Sequence, residues 1–235
     1  MPSRVRVVSL VPSITETLLE WGTRPVGVTR FCPGSGSAKV GGTKNPDIAA
    51  IVALAPDLVV MDKQENRVED ADTLVDVGVR VHVTDVRSVS DVEPTLRALA
   101  EAVGRPAPDP GGFAPPVRQP DRPVSAWVPI WRRPWMSIGG GTYGSSVLEA
   151  AGITNVLAGE PEPYPTAGPA EVASLRPDVV LAPSEPYPFK ERHRSELEAV
   201  APVVFVDGQD LFWWGTRTPG ALDRLRAMAA GLAGR

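Results

Sequence analysis

The chain has 235 residues, 43% hydrophobic and 22% charged, with a formal net charge of −4; that length allows one or two domains, each with a sizeable core. A mild acidic charge with Lys and Arg scattered along the chain argues against a nucleic-acid partner. One cysteine, Cys32, excludes an internal disulfide framework, and two histidines, His82 and His193, are too few for an ordinary structural zinc site.

Met1-Pro2-Ser3 runs directly into Arg4 to Val11, which reads as a buried strand and leaves no room for a secretory leader. The sequence as written is therefore expected in the cytoplasm, and an upstream start codon would make it extracytoplasmic. Every apolar run is interrupted well before the roughly 18 residues that cross a bilayer. Pro12-Ser13 opens a helix in which Ser13 is the expected cap and Glu16 its capping-box partner, ending at Gly22. A short strand at Val26 to Val28 follows, then a Gly/Ser loop from Cys32 to Gly42, a helix near Asp47 to Leu54 and a strand from Asp57 to Met61. A helix from about Asn66 to Val77 stops at Gly78, a strand covers Arg80 to Thr84, and a helix from Val89 to Val103 is ended by Gly104. There are 26 prolines, about double the average share, and many lie between 106 and 134, which reads as a linker. Beyond it come a strand at Val124 to Val128, a helix from Ser145 to Ala151 with Ser146 as cap, and a strand from Ile153 to Leu157. Continuous Val/Leu strands alternating with amphipathic helices predict an α/β fold with parallel sheets.

The pattern also repeats. Leu54-Ala55-Pro56-Asp57-Leu58-Val59-Val60 returns as Leu175-Arg176-Pro177-Asp178-Val179-Val180-Leu181, and Val81 to Asp85 matches Val203 to Asp207 at almost the same offset. Two Rossmann-like lobes follow: residues 1–87, a connecting helix and Pro/Gly-rich linker over 88–122, and residues 123–235. Ligands of open α/β sheets bind outside the carboxyl ends of the strands, so a cleft lined by the loops after Leu10, Met61, Thr84, Val128, Leu181 and Val206 is expected. Four of the six tryptophans fall on two such loops: Trp131 and Trp135 with Arg132 and Tyr143 on one, Trp213 and Trp214 on the other. Loop aromatics suit a bulky planar ligand in a mostly apolar site; the same side chains also suit packing of a lobe interface. Lys63, Glu65, Asn66 and Arg67 follow Met61, and Glu185, Tyr187 and Phe189 follow Leu181, as candidates for a polar and aromatic rim. Capping of the next helix would equally account for Glu65 and Asn66.

Val8 to Thr17, with Pro12 and Ser13, then Val26 to Cys32 with Arg30 and Phe31, Lys39 to Asp47, and the doubled Pro-Asp strands resemble the helical-backbone metal-chelate receptors. These are class III periplasmic substrate-binding proteins of ABC importers, and the chain is most similar to their vitamin B12-binding branch. The resemblance implies two lobes joined by one long helix, a non-catalytic role with no metal site or intrinsic cofactor of its own, and a ligand that is cobalamin or another corrinoid first, a ferric siderophore or haem second. It also implies an ABC permease as partner, docked through a glutamate on each lobe. Those positions here read Ala49 and Ala170, with only Glu171 adjacent, and the connecting helix is cut short by Arg105-Pro106 onward. The alternative is a cytosolic protein or enzyme of the same fold that handles a corrinoid or tetrapyrrole without a transporter.

Four weaker signals are set aside. Gly139 to Gly144 satisfies G-x-G-x-x-G, but about ten residues separate it from the strand it should follow. His82 alternates with Val81 and Val83 and reads as a core or edge residue. His193, among charged neighbours, reads as a solvated helix face whose approach through Tyr187 and Phe189 leaves an axial-ligand role open, and Cys32 in its Gly/Ser loop reads as an exposed thiol.

Overall fold

The computed structural model describes residues 5–34, 36–106 and 123–234; the stretch expected as linker, 107–122, lies outside them. The described residues form two compact units. One holds those up to Val86, 91–106 and Trp214–Thr216; the other holds Arg87–Ser90, 123 to Trp213, and those from Arg217 on.

In the first unit, β1 (Val7–Ser9), β2 (Gly27–Val28), β3 (Ala38–Lys39), β4 (Leu58–Asp62) and β5 (Val81–Thr84) form a sheet in the order β3-β2-β1-β4-β5. Every neighbouring pair is parallel. The central strands β1 and β4 are buried along their whole length, as the unbroken apolar runs require of strands covered on both faces. Val8, Leu10, Val40, Ile51, Val59, Met61 and Leu74 make one core cluster. Strand β3 falls inside the expected Gly/Ser loop; it is a two-residue edge strand with both side chains exposed, too short to show a period.

Four helices belong to this unit. In α1 (Pro12–Glu20) the N-cap is Val11, with no side-chain cap, and Pro12 holds the first helical position. Ser13 is therefore a buried second residue rather than the expected cap, because the fixed φ of Pro12 starts the helix one step earlier. In α2 (Ile48–Ala53) the Asp47 carboxylate accepts the Ala50 N–H at 2.9 Å. Helix α3 (Val68–Asp76) begins two residues later than expected, and α4 (Val92–Ala102) follows a short 3-10 turn at Val89–Asp91.

The second unit carries β6 (Val124–Trp127), an antiparallel hairpin of β7 (Pro129–Trp131) and β8 (Met136–Ser137), then β9 (Ile153–Asn155), β10 (Val179–Pro183) and β11 (Val203–Val206). The main sheet runs β11-β10-β6-β9, again parallel throughout. Its helices are α5 (Tyr143–Ala150), α6 (Pro169–Ala173), α7 (Arg194–Leu197), α8 (Gly208–Phe212) and α9 (Thr218–Ala233). Helix α5 is capped by Thr142, whose hydroxyl accepts the Ser145 N–H. The Ser146 hydroxyl, the expected cap, instead accepts the Val89 N–H at 2.9 Å.

The internal repeat has a shared physical device. Ala55 and Arg176 both sit at left-handed φ, 44° and 51°, and each precedes a proline. The aspartate after each proline clamps the neighbouring strand: Asp57 accepts the Arg6 N–H at 2.7 Å, and Asp178 accepts both the N–H and the hydroxyl of Ser125, at 2.8 and 2.7 Å. A Pro-Asp pair at the foot of a central strand thus stops the preceding helix and sets strand register, which explains why both copies carry it.

Candidate functional site

Because all pairs in both main sheets are parallel, each sheet gathers its strand-to-helix loops at one carboxyl edge. In the first unit the loop after β4 is held from within. The Asp62 carboxylate accepts the Thr84 hydroxyl at 2.6 Å and the Gln64 N–H at 2.8 Å. The Asn66 amide accepts the Asp62 N–H at 2.8 Å and donates to the Thr43 carbonyl at 2.9 Å. Asn66 is therefore buried and holds two loops together; this internal bonding takes it away from the rim expected of it and delays the start of α3. Burial pushes the Asp62 carboxyl above the ordinary range, against the bonds from Thr84 and Gln64. Glu65 has an exposed surface yet is crowded enough that lost hydration, then Asp62, push its carboxyl up as well.

Three of the expected basic groups are paired or displayed as follows. Lys63 meets Asp85 at 3.0 Å, Arg67 makes two bonds to Asp70 at 3.0 and 2.8 Å, and the Arg30 guanidinium lies 4.8 Å from the centre of the Phe31 ring. Phe31 is 59% exposed. Pro12 is half-buried at the start of α1. Cys32 is buried, with Sγ 3.1 Å from the Thr29 hydroxyl, which corrects the exposed-thiol reading: the loop folds its sulfur inward under β1.

In the second unit the aromatics converge. Trp135 stacks on Phe189 with centroids 6.0 Å apart and planes 9° from parallel, and it tilts against Trp127 at 5.7 Å. Tyr187 lies 4.8 Å from Phe189 and meets Trp131 edge-on at 5.8 Å. The wall grades from the core to solvent: Trp127 and Phe189 are buried, Trp135 and Tyr187 half-buried, and Trp131, at the end of β7, is 45% exposed. The hairpin, which sequence reasoning took as a loop, carries Trp131 at the end of β7 and Trp135 just before β8. Arg132 bonds Glu196 at 2.9 Å and has its guanidinium 6.0 Å from the Trp135 ring. Glu185 is half-buried against the Gly208 backbone.

Tyr143, Trp213 and Trp214 stand apart from that wall. Tyr143 is buried and its hydroxyl lies 2.9 Å from that of Thr218, with desolvation driving its phenol well above the usual range. The first turn of α5 turns this ring inward, so Tyr143 serves packing rather than a ligand face. Trp213 is half-buried with the Arg217 guanidinium 5.5 Å from its ring, and Trp214 is buried in the first unit.

His193 is buried rather than solvated. Its Nδ1 accepts the Lys190 N–H at 3.0 Å, closing a capping box, while Nε2 lies 3.4 Å from the Tyr187 hydroxyl and 3.2 Å from Arg192 Nε. The 3-10 turn before α7 rolls the ring inward, onto Tyr187 and Phe189. Burial, then Arg192 and Arg132, lower its proton affinity from the ordinary 6.5; His82, half-buried beside Arg80, shifts the same way. A histidine kept neutral in the folded chain but protonated in the unfolded chain removes stability as pH falls through the window below 6.5. A His193→Asn variant, whose Oδ1 stands where Nδ1 does and still accepts the Lys190 N–H, should lose less melting temperature than the parent on acidification from pH 7 to about 5. Equal losses would show that His193 does not carry this term. Among the described residues, no group of three or more His, Cys, Asp or Glu is arranged to hold a metal ion.

Two α/β lobes, each built on a parallel sheet, are the architecture of the class III periplasmic binding proteins. Residues 7–109 match the family described as periplasmic binding protein. The vitamin B12-binding protein of Salmonella choleraesuis (strain SC-B67) is 25% identical over 191 residues, 75% of this chain and 71% of its own. That of Yersinia pestis (strain Pestoides F) is 24% identical over 192 residues, covering 75% and 68%. Among solved structures, the periplasmic vitamin B12 binding protein BtuF of Vibrio cholerae aligns over 98% of both chains with a TM-score of 0.79 and 19% identity. The periplasmic heme-binding protein RhuT from Roseiflexus sp. RS-1 aligns over 98% of this chain and 100% of its own, with a TM-score of 0.83 and 21% identity. The fold is that of the class III periplasmic binding proteins.

Proposed function

We propose that this chain is a substrate-binding protein for a bulky metal chelate, a corrinoid first and a ferric siderophore or haem second, acting by binding and not by catalysis. The observation that carries the reading is the graded aromatic wall of the second unit, ending in the part-exposed Trp131. Large flat rings with few rotatable bonds bind extended apolar faces with little ordering cost, and a corrin or porphyrin presents such a face. Arg30 with Phe31, Lys63, Glu65 and Glu185 supply polar groups on the loops of their own units. The chelate is a ligand, so no resident cofactor is part of the reading.

The relatives named above are binding proteins, two of them periplasmic by description. No helix among the described residues is long and apolar enough to cross a membrane. An ABC permease is the partner that such relatives suggest, but docking through an acidic pair is not proposed. Ala49 and Ala170 are exposed on the first turns of α2 and α6, with Glu171 the only carboxylate beside either.

Titration with cyanocobalamin, haem and a ferric hydroxamate, followed by tryptophan fluorescence and calorimetry, is expected to give saturable quenching by at least one chelate. Trp131→Ala should then weaken that chelate about tenfold or more, the effect of truncating an aromatic anchor, with little change in melting temperature because the ring is 45% exposed. No response to any of the three would overturn the proposal.

A further inference from the structure

The aromatic wall of the second unit rests on a buried side chain. The His193 ring lies 5.5 Å from that of Tyr187 and meets Phe189 edge-on at 5.7 Å. Those two rings in turn seat the tryptophans: Tyr187 meets Trp131, and Phe189 stacks on Trp135. Moving His193 therefore takes the support from both rings at once.

Hydrogen bonding fixes the protonation state of His193. The Lys190 backbone N–H can only donate, so Nδ1, 3.0 Å from it, must be the bare nitrogen. The one proton of a neutral ring then sits on Nε2, with the Tyr187 hydroxyl at 3.4 Å as its acceptor. Arg192 Nε, 3.2 Å from the same nitrogen, is a donor facing a donor; its side chain is exposed and can turn away, whereas the Lys190 backbone cannot. A second proton has only Nδ1 to go to, where it would confront the Lys190 N–H. The surrounding charges oppose it too. Arg192 and Lys190 beside the ring and Arg132 from the β7–β8 turn are cations, the Tyr187 phenol is neutral, and the one carboxylate facing the ring, Glu196 of α7, is bonded to Arg132. An imidazolium cannot keep this position.

We propose that His193 is a positioning residue for the aromatic wall: its neutral ring holds Tyr187 and Phe189 in place, and a proton gained on Nδ1 lets them go, so that ligand is held at neutral pH and released on mild acidification. One proton is taken from solvent, the bond from the Lys190 N–H breaks, and no other chemistry is involved. Because only the neutral form is competent, apparent affinity scales with the neutral fraction and falls as pH falls. The release half of the proposal rests on the chelate-binding reading above; the positioning half concerns the free chain.

Long-range 1H–15N NMR of the ligand-free parent sees two imidazoles, His82 and His193, and a His82→Asn variant assigns them. His193 should be the Nε2–H tautomer at about pH 7.5 and should take its second proton below 6.5, in step with a change in the near-UV circular dichroism of the tryptophans. His193→Asn keeps an acceptor for the Lys190 N–H and cannot be protonated, so it should lose that near-UV step. By calorimetry, the affinity of the parent for cyanocobalamin should fall about tenfold between about pH 7.5 and 5, the scale of one excluded proton. The variant, weaker at pH 7.5 for want of the Tyr187 bond, should stay roughly constant over that range. An Nδ1–H tautomer, a flat near-UV signal, or the same pH response in parent and variant would overturn the proposal, and the NMR arm decides it even where the variant does not fold. A near-UV step with no loss of affinity would sink the release half. Failure of cyanocobalamin, haem and a ferric hydroxamate all to bind at pH 7.5 would remove the chelate reading, while the free-chain titration still decides whether His193 positions the wall.

Discussion

Replacing Trp127 with Ala is expected to destabilise the second unit by about 3–5 kcal/mol, the range for deleting a fully buried large aromatic. Trp127 has no solvent exposure, lies on β6 between β10 and β9, and packs with Leu157, Val172, Val180, Phe189, Leu197 and Val203. Its indole Nε1 donates to the Ser137 hydroxyl at 2.6 Å, so truncation leaves a cavity and also strips a buried hydroxyl of its donor. Ser137 is itself fully buried on β8. The loss therefore reaches the hairpin and Trp135, which tilts on the Trp127 ring. Urea denaturation followed by far-UV circular dichroism should show the midpoint fall with Trp127→Ala. Trp127→Phe, which keeps much of the volume but not the N–H, should fall less. A loss under about 1 kcal/mol for the alanine variant would mean that the surrounding layer collapses onto the cavity and that Trp127 does not organise it.

Much of the fold was legible because the determinants are local and doubled. The Pro-Asp device works through one strained residue, one proline and one carboxylate, all within a few positions, and so its two copies were visible as a repeat before any contact was known. The short apolar runs at 58–61 and 179–183, each preceded by a Pro-Asp pair, likewise marked parallel strands buried on both faces. What escaped notice was structure too short to show a period: the two-residue β3, and the β7–β8 hairpin whose turn holds Arg133 at φ 67°.

The candidate site was readable as a composition but not as an arrangement. Aromatic loops announced Trp131, Trp135, Tyr187 and Phe189, and the structure brings these four into one wall. Tyr143 has the same residue type and a similar sequence setting, yet it faces Thr218, because which way a ring turns in the first turn of a helix depends on the partner 75 residues on. His193 escaped for a related reason. Four charged neighbours suggest a solvated face, whereas a single backbone N–H, that of Lys190, is enough to roll the ring inward. The pairing of Lys63 with Asp85 and of Arg132 with Glu196 joins residues 22 and 64 positions apart; only the fold reveals that those charges are already engaged.

Gly140→Ala is expected to cost the second unit about 2–3 kcal/mol, and the reason also settles what the glycine run from 139 to 144 is for. A Cβ at Gly140 would stand 2.2 Å from the Ala158 carbonyl oxygen, and one at Gly139 would stand 2.3 Å from that of Glu162. Both obstacles are backbone, so no side-chain rotation relieves them. The Gly139 N–H donates to the Pro163 carbonyl at 2.8 Å and the Ser137 N–H to that of Pro165 at 3.0 Å. This run is thus a seat on which residues 158–165 lie, and its closeness is what glycine supplies. Gly141 is a control within the same motif: a Cβ there meets nothing within 4 Å, and only its φ of 68° disfavours alanine, which costs about 1 kcal/mol. The order of midpoints in urea should therefore be parent, then Gly141→Ala, then Gly140→Ala, with NAD or ATP giving no thermal shift to any of them. If instead Gly140→Ala melted with the parent, the close approach would be one the segment can relax without cost. If a nucleotide stabilised the parent and lost that effect in the Gly140 variant, the run would be a phosphate cradle after all.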